Sequence, residues 1–424
     1  MRIDQSAFTN ISIFDRPYLE SIFGGVEFPD GTFAIDCIEE LIEFQKMFME
    51  VVADTRTENM FTFPVLTFSL LTNGEQGERF AFVDEEFARW CSDHNMKWSD
   101  SNFFCSDSVG VLSNCCRLLS DTTKLDAFIN SIGGTSMSVG SCRVSTINLA
   151  RIAYESKLNQ GKYLKILREK VELDCKALYS MREIIKKNIN KGLLPNYQEG
   201  AVELDKQFCT IGILGLYEVI DMFDLIETDE LGNKSYTEEG LKFASKILDV
   251  INEVKDSFEC DFSFNIESIP GENCAGTICQ ADNLIYEQDR YFIYSNQWIP
   301  LMEKCTIQEK CRLGAVLDKK CGGGCIAHIN VEGRFPNRDM AWDMLNYVAS
   351  KGVIYFAFTT KISVDEDKHA FIGTSTCPRC GKPAVDTYSR VVGFYTPVSA
   401  YQKIRKREFN ARKWYNIASQ EGIL

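Results

Sequence analysis

Two cysteines near the C-terminus have the spacing of a metal-binding turn. Cys377 and Cys380 stand in "CPRCGK", and the Gly381 that follows them suits the tight turn of a zinc knuckle. A four-coordinate structural zinc needs two more ligands. The nearest candidates are His369 and Asp365, four residues apart, although carboxylate is a less common ligand in structural sites than Cys or His. This segment predicts a metal site.

Two alternatives to that ligand set remain open at the level of residues. Cys321 and Cys325 in "CGGGC" offer a competing second pair of sulfur ligands. The Cys-x-x-Cys unit is also compatible with redox chemistry, but such units usually lie beside a βαβ pattern, which is not evident here.

A second group combines two adjacent thiols with an amide and a guanidinium. Asn114, Cys115, Cys116 and Arg117 are consecutive in "SNCCRLLSD". A nearby guanidinium stabilises a thiolate, and an Asn amide can hydrogen-bond a hydroxylated substrate. The group is compatible with redox or radical thiol chemistry, and equally with two cysteines that simply pack as small apolar residues.

The stretch "IPGENCAGT" (269–277) lies between a predicted strand and a predicted helix. Pro270 and Gly271 end the strand, and Asn273 or Thr277 could cap the helix that follows. Free backbone N–H groups at a helix N-terminus form a site for phosphate. The spacing matches neither a Walker A loop nor a dinucleotide fingerprint, so a plain β–α turn remains the alternative.

One glycine stands in an apolar, strand-like run close to the C-terminus. Gly393 is the glycine of "RVVGFYTP", shortly after the cysteine pair. An isolated glycine in such a run usually marks a bulge or a tight bend, and that structural explanation needs no chemistry.

Composition limits the classes of function. The chain has 424 residues and a net charge of −14, which argues against a nucleic-acid-binding surface as its main function. It contains 17 cysteines, but its N-terminus lacks the features of a signal peptide and no run has the length of a membrane span. We therefore expect reduced thiols in the cytoplasm, with no membrane partner and no direct contact with nucleic acid.

Apolar periodicity predicts the elements that position these groups. Strands are expected in 61–72, after residue 100 and in four later runs: "RVSTIN", "FSFNIES", "CIAHIN" and "VIYFAFTTKIS". Helices are expected over 35–53, 85–95 and 156–192, and in "KQFCTIGILGLYEVIDMF", "EEGLKFASKILDVINEVKDSF", "NRDMAWDMLNYVASKG" and "SAYQKIRKREFNARKWYN". The basic cluster of the last helix is interpreted as a solvated face. Alternation of strands and helices predicts an α/β fold with buried, mostly parallel strands.

Several phrases in a fixed order carry a family resemblance. They are "FTNISIFDRPYLE", "FPVLTFSL", "SNCCRLLSD", "RVSTINLARIA", "TIGILGLYE", "FNIESIPGEN", "YSNQWIPL", "YFAFTTKIS", "CPRCGKP" and "RVVGFYTPVSAY". Together they cover about residues 7–414 and resemble the class III, anaerobic ribonucleoside-triphosphate reductases, which are glycyl radical enzymes. The resemblance implies a ten-stranded α/β barrel. Its expected parts are the barrel portion in 1–360 with a thiyl finger loop near 105–121, a zinc-ribbon-like unit in 361–385, and the radical loop with a C-terminal helix in 386–424.

The same resemblance assigns roles to the groups described above. It implies that Gly393 stores the radical and that Cys116 forms the thiyl radical that takes the 3′ hydrogen of the ribose. Asn114 contacts the substrate hydroxyls, and Cys115 is a hypothetical partner in a dithiol route. The implied substrate-binding residues are Pro270, Gly271, Glu272, Asn273, Cys274, Ala275, Asn296 and Arg117. The implied ligands of a structural zinc are Asp365, His369, Cys377 and Cys380.

The resemblance also implies partners. They are a ribonucleoside triphosphate, a separate iron–sulfur activase that uses S-adenosylmethionine, formate or a thioredoxin-like reductant, and a second copy in a homodimer. This chain departs from the family in two respects: Asp365 stands where relatives generally have a cysteine, and the match begins almost at Met1. Relatives carry an ATP cone and the first barrel strands before that point. We therefore expect a second chain to complete the barrel, since an open barrel exposes unpaired strand edges.

Two rival interpretations are retained. Another glycyl radical enzyme, related to pyruvate formate-lyase, also uses adjacent cysteines and a C-terminal glycine. The Asn114-x-Cys116 spacing and the zinc unit favour the reductase, and protection by nucleotides would discriminate the two. A catalytically silent or split subunit is the second rival. Thiol trapping on Cys116, together with a search for a bound partner chain, would test it.

Overall fold

A computed structural model describes residues 9–113, 119–121, 140–269, 271, 274–390 and 393–417. The strands are β1 Asn10–Phe14, β2 Val65–Leu71, β3 Ser101–Ser106, β4 Val111–Ser113, β5 Leu119–Asp121, β6 Gly140–Asn148, β7 Gln207–Leu214, β8 Ile226–Thr228, β9 Lys234–Tyr236, β10 Phe264–Ser268, β11 Ala327–Asn330, β12 Tyr355–Thr359, β13 Ile362–Val364, β14 Ala370–Phe371, β15 Asp386–Arg390 and β16 Tyr395–Pro397. The helices are α1 Arg16–Phe23, α2 Ile38–Glu58, α3 Glu85–Asn95, α4 Leu149–Ser156, α5 Gln160–Asn190, α6 Pro195–Gln198, α7 Leu216–Met222, α8 Glu238–Ser257, α9 Cys274–Ile285, α10 Ile307–Leu317, α11 Arg338–Ser350 and α12 Lys403–Ala411.

Two sheets form the main wall of the fold. The five-stranded sheet has the order β1-β2-β3-β12-β11 and is parallel except between β3 and β12. The three-stranded sheet has the order β10-β7-β6 and is wholly parallel. A parallel bridge between Glu267 and Gly324 joins β10 to the segment that leads into β11. The predicted α/β fold with mostly parallel, buried strands is confirmed.

Aromatic side chains fill the core against the five-stranded sheet. The strands β3 and β12 are buried along their whole length, as expected for strands covered on both faces. The rings of Phe103 and Phe356 stack at 5.6 Å, and Phe358 meets Phe103 edge-on at 5.8 Å. A second apolar core lies where α5 and α8 cover β7. Each of the two sheets is therefore covered by its own hydrophobic core.

The helix predicted across residues 206–223 is wrong in its first half. Residues Gln207–Leu214 form the central strand β7 of the three-stranded sheet, and the helix α7 begins only at Leu216. Gly215 separates the two with φ of +87°, a conformation that favours glycine. A strand buried on both faces is apolar throughout and does not show the alternation that identifies a half-buried strand.

The other long predictions agree with the structure more closely. The helix predicted over 85–95 is α3, with the same ends. The helix predicted over 156–192 is α5, which begins at Gln160 because Lys157 and Leu158 adopt left-handed backbone angles. Asn159 then caps α5, since its side chain accepts a hydrogen bond from Lys162 N.

A small antiparallel sheet with the order β14-β13-β15-β16 lies near the C-terminus and is followed by α12. The interpretation of the basic cluster in this helix as a solvated face is wrong for Arg412. Both Arg412 and Glu408 are buried, and the Arg412 guanidinium donates to both carboxylate oxygens of Glu408 at 2.8 and 2.9 Å. Arg405 also lies 3.4 Å from the same carboxylate.

The cysteines in the described part of the chain are free thiols. Among the described helices, none combines the length and apolar character that crossing a membrane requires.

Candidate functional site

Gly393 lies at the tip of a hairpin. The strands β15 and β16 pair antiparallel, with Arg390 opposite Tyr395, and the chain between them returns through a bend at Gly393 and Phe394. Both bend residues are buried, and the ring of Phe394 packs against Phe63 with centroids 5.0 Å apart. The predicted bend is confirmed, and its tip points into the protein.

The described surroundings do not require a glycine at this position. Gly393 does not adopt the left-handed backbone that disfavours other residues. The nearest described atom that an added Cβ would meet is Asn102 Nδ2, at an ordinary contact distance of 3.7 Å. By contrast, an added Cβ on Gly276 would lie 2.7 Å from Ile404. Neither backbone strain nor close packing therefore explains why position 393 is a glycine.

Asn102 anchors the tip of the hairpin to the wall. Its side-chain amide nitrogen, on β3, lies 3.4 Å from the carbonyl oxygen of Gly393 and donates to the hydroxyl of Tyr355 at 2.8 Å. Its amide oxygen accepts a hydrogen bond from the guanidinium of Arg390. One buried amide thus joins β3, β12 and both sides of the Gly393 bend.

Arg390 is a fully buried cation beside the bend. Its guanidinium donates to the carbonyl of Ser99 at 3.0 Å, and the hydroxyl of Tyr395 donates to the same carbonyl at 3.0 Å. Burial lowers the pKa of Arg390, and the proximity of Tyr395 and Asp100 opposes this effect. Because buried charges need partners, these contacts fix the hairpin next to its tip in one arrangement.

The predicted thiol group lies outside the described residues. This concerns Asn114, Cys115, Cys116 and Arg117. The strands on either side are described: β4 and β5 pair antiparallel, with Ser113 opposite Leu119. The start of this hairpin is held by Tyr18, whose hydroxyl lies 2.9 Å from the carbonyl oxygen of Val111.

The predicted phosphate loop is described in part. Pro270, Glu272 and Asn273 lie outside the described residues. Gly271 has φ of +60°, and its carbonyl accepts a hydrogen bond from Ala275 N at 2.7 Å in the first turn of α9, which begins at Cys274. An added Cβ on Gly271 would meet Leu214 at 3.0 Å, so both conformation and packing require glycine here.

Asn296 lies beside this loop, as the prediction of a shared binding site requires. The hydroxyl of Ser268, at the end of β10, donates to the carbonyl of Asn296 at 2.6 Å. The amide nitrogen of Asn296 is buried, and in the described structure it has no hydrogen-bond partner. Leu214, Ser268 and Asn296 lie together at the C-terminal ends of β7 and β10, where α/β folds commonly bind ligands.

Glu218 is a buried carboxyl group close to Asn296. Its Oε1 accepts a hydrogen bond from Ser295 N at 2.8 Å, and Ser295 directly precedes Asn296. Burial raises the pKa of Glu218 to about 8, and the negative charges of Asp221 and Glu303 act in the same direction. Glu218 is therefore largely protonated at neutral pH.

The segment after the hairpin connects Gly393 with the phosphate-loop helix. The guanidinium of Arg412 donates to the carbonyl of Arg390 at 2.7 Å, next to the tip of the hairpin. On α12, Ile404 packs against Gly276 of α9. Further along, Lys413 N donates to Leu301 O at 2.8 Å.

The four predicted metal ligands are brought together. The ligand atoms of Asp365, His369, Cys377 and Cys380 all lie within 4.8 Å of one another. Oδ2 of Asp365 is 2.9 Å from both His369 Nδ1 and Cys380 Sγ, and Cys377 Sγ is 3.9 Å from His369 Nδ1. Burial alone would raise the pKa of Asp365, but hydrogen bonds from the two cysteines and His369 hold it below its usual range.

Local backbone structure explains the arrangement of this group. Gly381 has φ of +73° and donates its N–H to the carbonyl of Cys377 at 2.8 Å, which closes the Cys-x-x-Cys turn. Oδ1 of Asp365 accepts the backbone N–H groups of Asp367 and His369, both at 2.9 Å, and this leaves Oδ2 directed at the cluster. Two sulfurs, one imidazole and one carboxylate are a donor set that fits a tetrahedral metal ion.

The competing pair Cys321 and Cys325 does not join this group. Both residues are buried in the core beneath α8, beside β10, and Gly323 N between them donates to Ile266 O at 2.6 Å. Within the described residues, the Asp365 group is the one cluster of His, Cys, Asp and Glu side chains with metal-ligand spacing.

Comparison with known proteins assigns the family. The family model described as anaerobic ribonucleoside-triphosphate reductase matches residues 2–415. The chain belongs to this family. The anaerobic ribonucleoside-triphosphate reductase of Salmonella typhimurium is 24% identical over 314 residues, which are 64% of this chain and 40% of that protein.

Solved structures of anaerobic ribonucleotide reductases are more similar. One matches with a TM-score of 0.88 and 43% identity, over 97% of this chain and 64% of the other. The Thermotoga maritima enzyme in complex with dATP and CTP matches with a TM-score of 0.84 and 42% identity, over 96% of this chain and 65% of the other. The chain thus spans less than two thirds of the length of these relatives.

The sequence did not predict the anchor that this reductase-family chain builds around Gly393. Asn102, Tyr355 and Arg390 were not singled out, although each lies in a phrase or run that was. The sequence offered one signal for Asn102, which is a polar residue in the strand-like run "SNFFCS". In the structure this strand and Asn102 itself are fully buried. A buried amide in a strand needs partners, but the sequence alone does not say where in the chain they lie.

Proposed function

We propose that this chain reduces ribonucleoside triphosphates to 2′-deoxyribonucleoside triphosphates by radical chemistry that starts at Gly393. The observation that carries the proposal is the environment of Gly393. It is buried and anchored, yet neither its backbone nor its described packing demands glycine. What glycine alone supplies is an unhindered Cα–H bond whose radical is planar and stabilised by the flanking amide groups.

The reaction begins with transfer of a hydrogen atom. The Gly393 radical takes the thiol hydrogen of Cys116, and the resulting thiyl radical removes the 3′ hydrogen of the ribose. The 2′-hydroxyl then leaves as water, and Asn114 hydrogen-bonds the substrate hydroxyls during this step. These thiol and amide roles rest on the resemblance of "SNCCRLLSD" to the family.

Two electrons and two protons complete the reduction. Formate, oxidised to carbon dioxide, or a dithiol, oxidised to a disulfide, supplies the electrons. Cys115 is a candidate for the dithiol route because it adjoins Cys116. The 3′ hydrogen then returns to the sugar, and the radical returns through Cys116 to Gly393.

The substrate triphosphate is proposed to bind at the start of α9. Backbone N–H groups at a helix N-terminus and the guanidinium of Arg117 are suited to phosphate. The buried, unpartnered amide nitrogen of Asn296 supplies a further donor beside them. The related Thermotoga maritima protein was solved with CTP and dATP, which supports a nucleotide as the ligand.

Zinc is the metal proposed for the Asp365 group. Two thiolates, one imidazole and one carboxylate would complete four-coordinate zinc, and its role would be structural. Asp365 directly follows β13, which pairs with β15 at the base of the Gly393 hairpin. The ion would therefore brace the sheet that carries the radical residue, and no step of the reaction passes through it.

The proposed partners follow from this chemistry. A separate activase with an iron–sulfur cluster and S-adenosylmethionine would remove the first hydrogen from Gly393. A cytoplasm that holds little oxygen suits both a glycyl radical and a reactive thiol. A homodimer is proposed on the basis of the family.

Electron paramagnetic resonance under anaerobic conditions tests the radical assignment. The full chain is incubated with a family activase, a reductant and S-adenosylmethionine. We expect a doublet, because one α hydrogen remains on the radical carbon, and we expect its collapse to a single line when the protein contains glycine deuterated at Cα. Formation of labelled deoxynucleotide from a ribonucleoside triphosphate then tests the reaction.

Two matched variants separate chemistry from folding. Gly393→Ala should fold, since the described surroundings accommodate its Cβ, and should give no signal. Gly25→Ala should keep the signal, because Gly25 has open space around it and an ordinary backbone conformation. A full-intensity doublet from Gly393→Ala, or a radical without any reduction of ribonucleotides by formate or a dithiol, would contradict the proposal.

A further inference from the structure

Two cysteines on neighbouring strands lie close together and have no part in the proposed reaction. Cys142 is on β6 and Cys209 is on β7, and their sulfur atoms are 3.5 Å apart. Cys142 occupies an irregularity in the pairing: Ser141 is opposite Phe208 and Arg143 is opposite Cys209, so Cys142 is an extra residue. This bulge directs Cys142 towards the side where α5 packs, since both sulfurs contact that helix.

A buried arginine faces the pair. Arg182, on α5, is 1% exposed, and its guanidinium lies 3.4 Å from Cys142 Sγ. The same guanidinium donates to the carbonyls of Gln207 at 2.8 Å and Leu204 at 2.7 Å. These carbonyls fix the orientation of the guanidinium, and they do not neutralise its charge.

Among the described residues, the charge of Arg182 lacks a buried carboxylate partner. Its one ion pair in the described part of the chain is with Asp205, at 4.0 Å, and the Asp205 side chain is 96% exposed. A buried cation is expensive to desolvate unless an anion lies close by. A thiolate on Cys142 supplies that anion at hydrogen-bonding distance.

The two thiols differ in acidity and in access. A hydrogen bond from Cys209 lowers the pKa of Cys142 to about 6 against the effect of partial burial, and Arg182 contributes in the same direction. The hydrogen bond to Cys142 raises the pKa of Cys209, and burial adds to that rise. Cys142 is half-buried whereas Cys209 is fully buried. The pair therefore consists of a reachable thiolate and a shielded thiol.

We propose that Cys142 and Cys209 form a redox-responsive dithiol, which a peroxide converts to a disulfide between β6 and β7. The Cys142 thiolate attacks the peroxide oxygen, the O–O bond breaks, and hydroxide leaves, so that Cys142 becomes a sulfenic acid. The thiol of Cys209 then attacks that sulfur, the S–O bond breaks, and water leaves with the thiol proton. A dithiol reductant reverses the change by exchange.

The geometry suits closure to a disulfide. Neighbouring strands place cross-strand Cα atoms within the range that disulfides span. The sulfurs, already 3.5 Å apart, need to approach by about 1.5 Å to reach the S–S bond length. The sulfenic acid and the resolving thiol are thus supplied by one chain without a large rearrangement.

Peptide mapping of the oxidised full chain tests the proposal. The reduced protein is treated anaerobically with hydrogen peroxide, its remaining thiols are blocked with N-ethylmaleimide, and tryptic peptides are identified by mass. We expect a cross-linked pair that contains Cys142 and Cys209 and that disappears on treatment with a dithiol. Recovery of both residues as blocked thiols, at a peroxide dose that oxidises the partly exposed Cys37, would overturn the proposal.

Variants identify the order of events. Cys209→Ser should stop the reaction at the sulfenic acid of Cys142, which dimedone traps as a stable adduct. Cys260→Ser, which removes another half-buried cysteine, should leave the cross-link intact. A dimedone adduct on Cys209 in the Cys142→Ser protein, equal in yield to that on Cys142 in Cys209→Ser, would contradict the assigned roles. If a variant does not fold, the peptide map of the parent protein still shows whether the disulfide between Cys142 and Cys209 forms. None of these measurements depends on reductase activity.

Discussion

Asn102 shows how much a single buried side chain does near the candidate radical site. Its side-chain amide both accepts and donates hydrogen bonds. The oxygen accepts from Arg390, and the nitrogen donates to the Tyr355 hydroxyl and to the Gly393 carbonyl. An amide is one of few groups that can both donate and accept in this way. A carboxylate could not donate to the Gly393 carbonyl, and an aliphatic side chain could do neither.

Replacement of Asn102 by Leu should destabilise the chain markedly. The Arg390 guanidinium is fully buried and would keep the Ser99 carbonyl but lose Asn102 as an acceptor, and an unsatisfied buried charged group costs about 3 kcal/mol. Urea unfolding of the parent and of Asn102→Leu measures the difference. Asn102→Asp is the matched control, since it keeps an acceptor for Arg390 and should lose much less stability. Equal losses for the two variants would show that the hydrogen bond to Arg390 contributes little.

Glu218 should make stability depend on pH. Its pKa of about 8 in the folded chain lies above its ordinary value of 4.5, so the folded state binds more protons between these values. This contribution is therefore fully present below pH 4.5 and is lost as the pH rises through 8. Glu218→Gln should be more stable than the parent at about pH 8, by about 1–3 kcal/mol, and should lose this advantage near pH 5.

Urea unfolding of the two proteins at several pH values measures this effect. If the free energy of unfolding changes with pH in the same way for the parent and for Glu218→Gln, Glu218 is ionised in the folded chain. Gln keeps the acceptor for Ser295 N, so loss of that hydrogen bond does not confuse the comparison.

At the scale of elements, the sequence predicted what local pattern determines and missed what depends on distant partners. The helix α3 was predicted with both ends correct from its local apolar pattern, and in the structure Asp84 caps its first turn. The strand β7 was mistaken for helix because, as the central strand, it is apolar on both faces. The Cys-x-x-Cys turn was predicted from its spacing because it is a local structure, whereas spacing left Cys321 and Cys325 open as the second pair of candidate ligands. The Asn102 anchor joins residues 288 positions apart in the chain, and no local pattern contains it.

The small C-terminal sheet should depend on the proposed zinc ion through Asp365. Asp365→Asn should weaken zinc binding by more than about tenfold, because an amide is a poor zinc ligand. The variant should still fold, since its side-chain oxygen can accept the N–H groups of Asp367 and His369. Competition with a chromophoric chelator measures the affinity. Asp365→Cys restores an anionic ligand and should bind zinc at least as tightly as the parent. Unchanged affinity in Asp365→Asn would exclude Asp365 as a ligand.

At the scale of the whole molecule, the C-terminal segment joins parts that are far apart in sequence. The Gly393 hairpin lies against the five-stranded sheet through Asn102, while α12 lies against α9, which follows the three-stranded sheet. Arg412 connects the two by donating to the carbonyl of Arg390. In the proposed reaction Gly393 and the proposed phosphate loop act on one substrate, and such a connection would hold them together although each is carried by a different sheet.

A double-mutant cycle between α9 and α12 measures how firmly this connection is packed. In Gly276→Ala the new Cβ would lie 2.7 Å from Ile404 Cγ2, so we expect a loss of about 1–3 kcal/mol in the free energy of unfolding. Ile404→Val keeps the Cγ2 methyl group but removes Cδ1, which lies 2.9 Å from the added Cβ. Ile404→Ala removes both of these methyl groups. Each Ile404 variant is combined with Gly276→Ala, and the effect of the Ile404 substitution by itself is subtracted. The free energy of unfolding lost in Gly276→Ala should then be recovered in part with Ile404→Val and to a greater extent with Ile404→Ala. Additive losses in both double variants would mean that the loss in Gly276→Ala does not come from contact with Ile404. No loss in Gly276→Ala would mean that α12 moves away from α9 without cost. The hairpin and the phosphate loop would then be held by their own sheets, and not by each other.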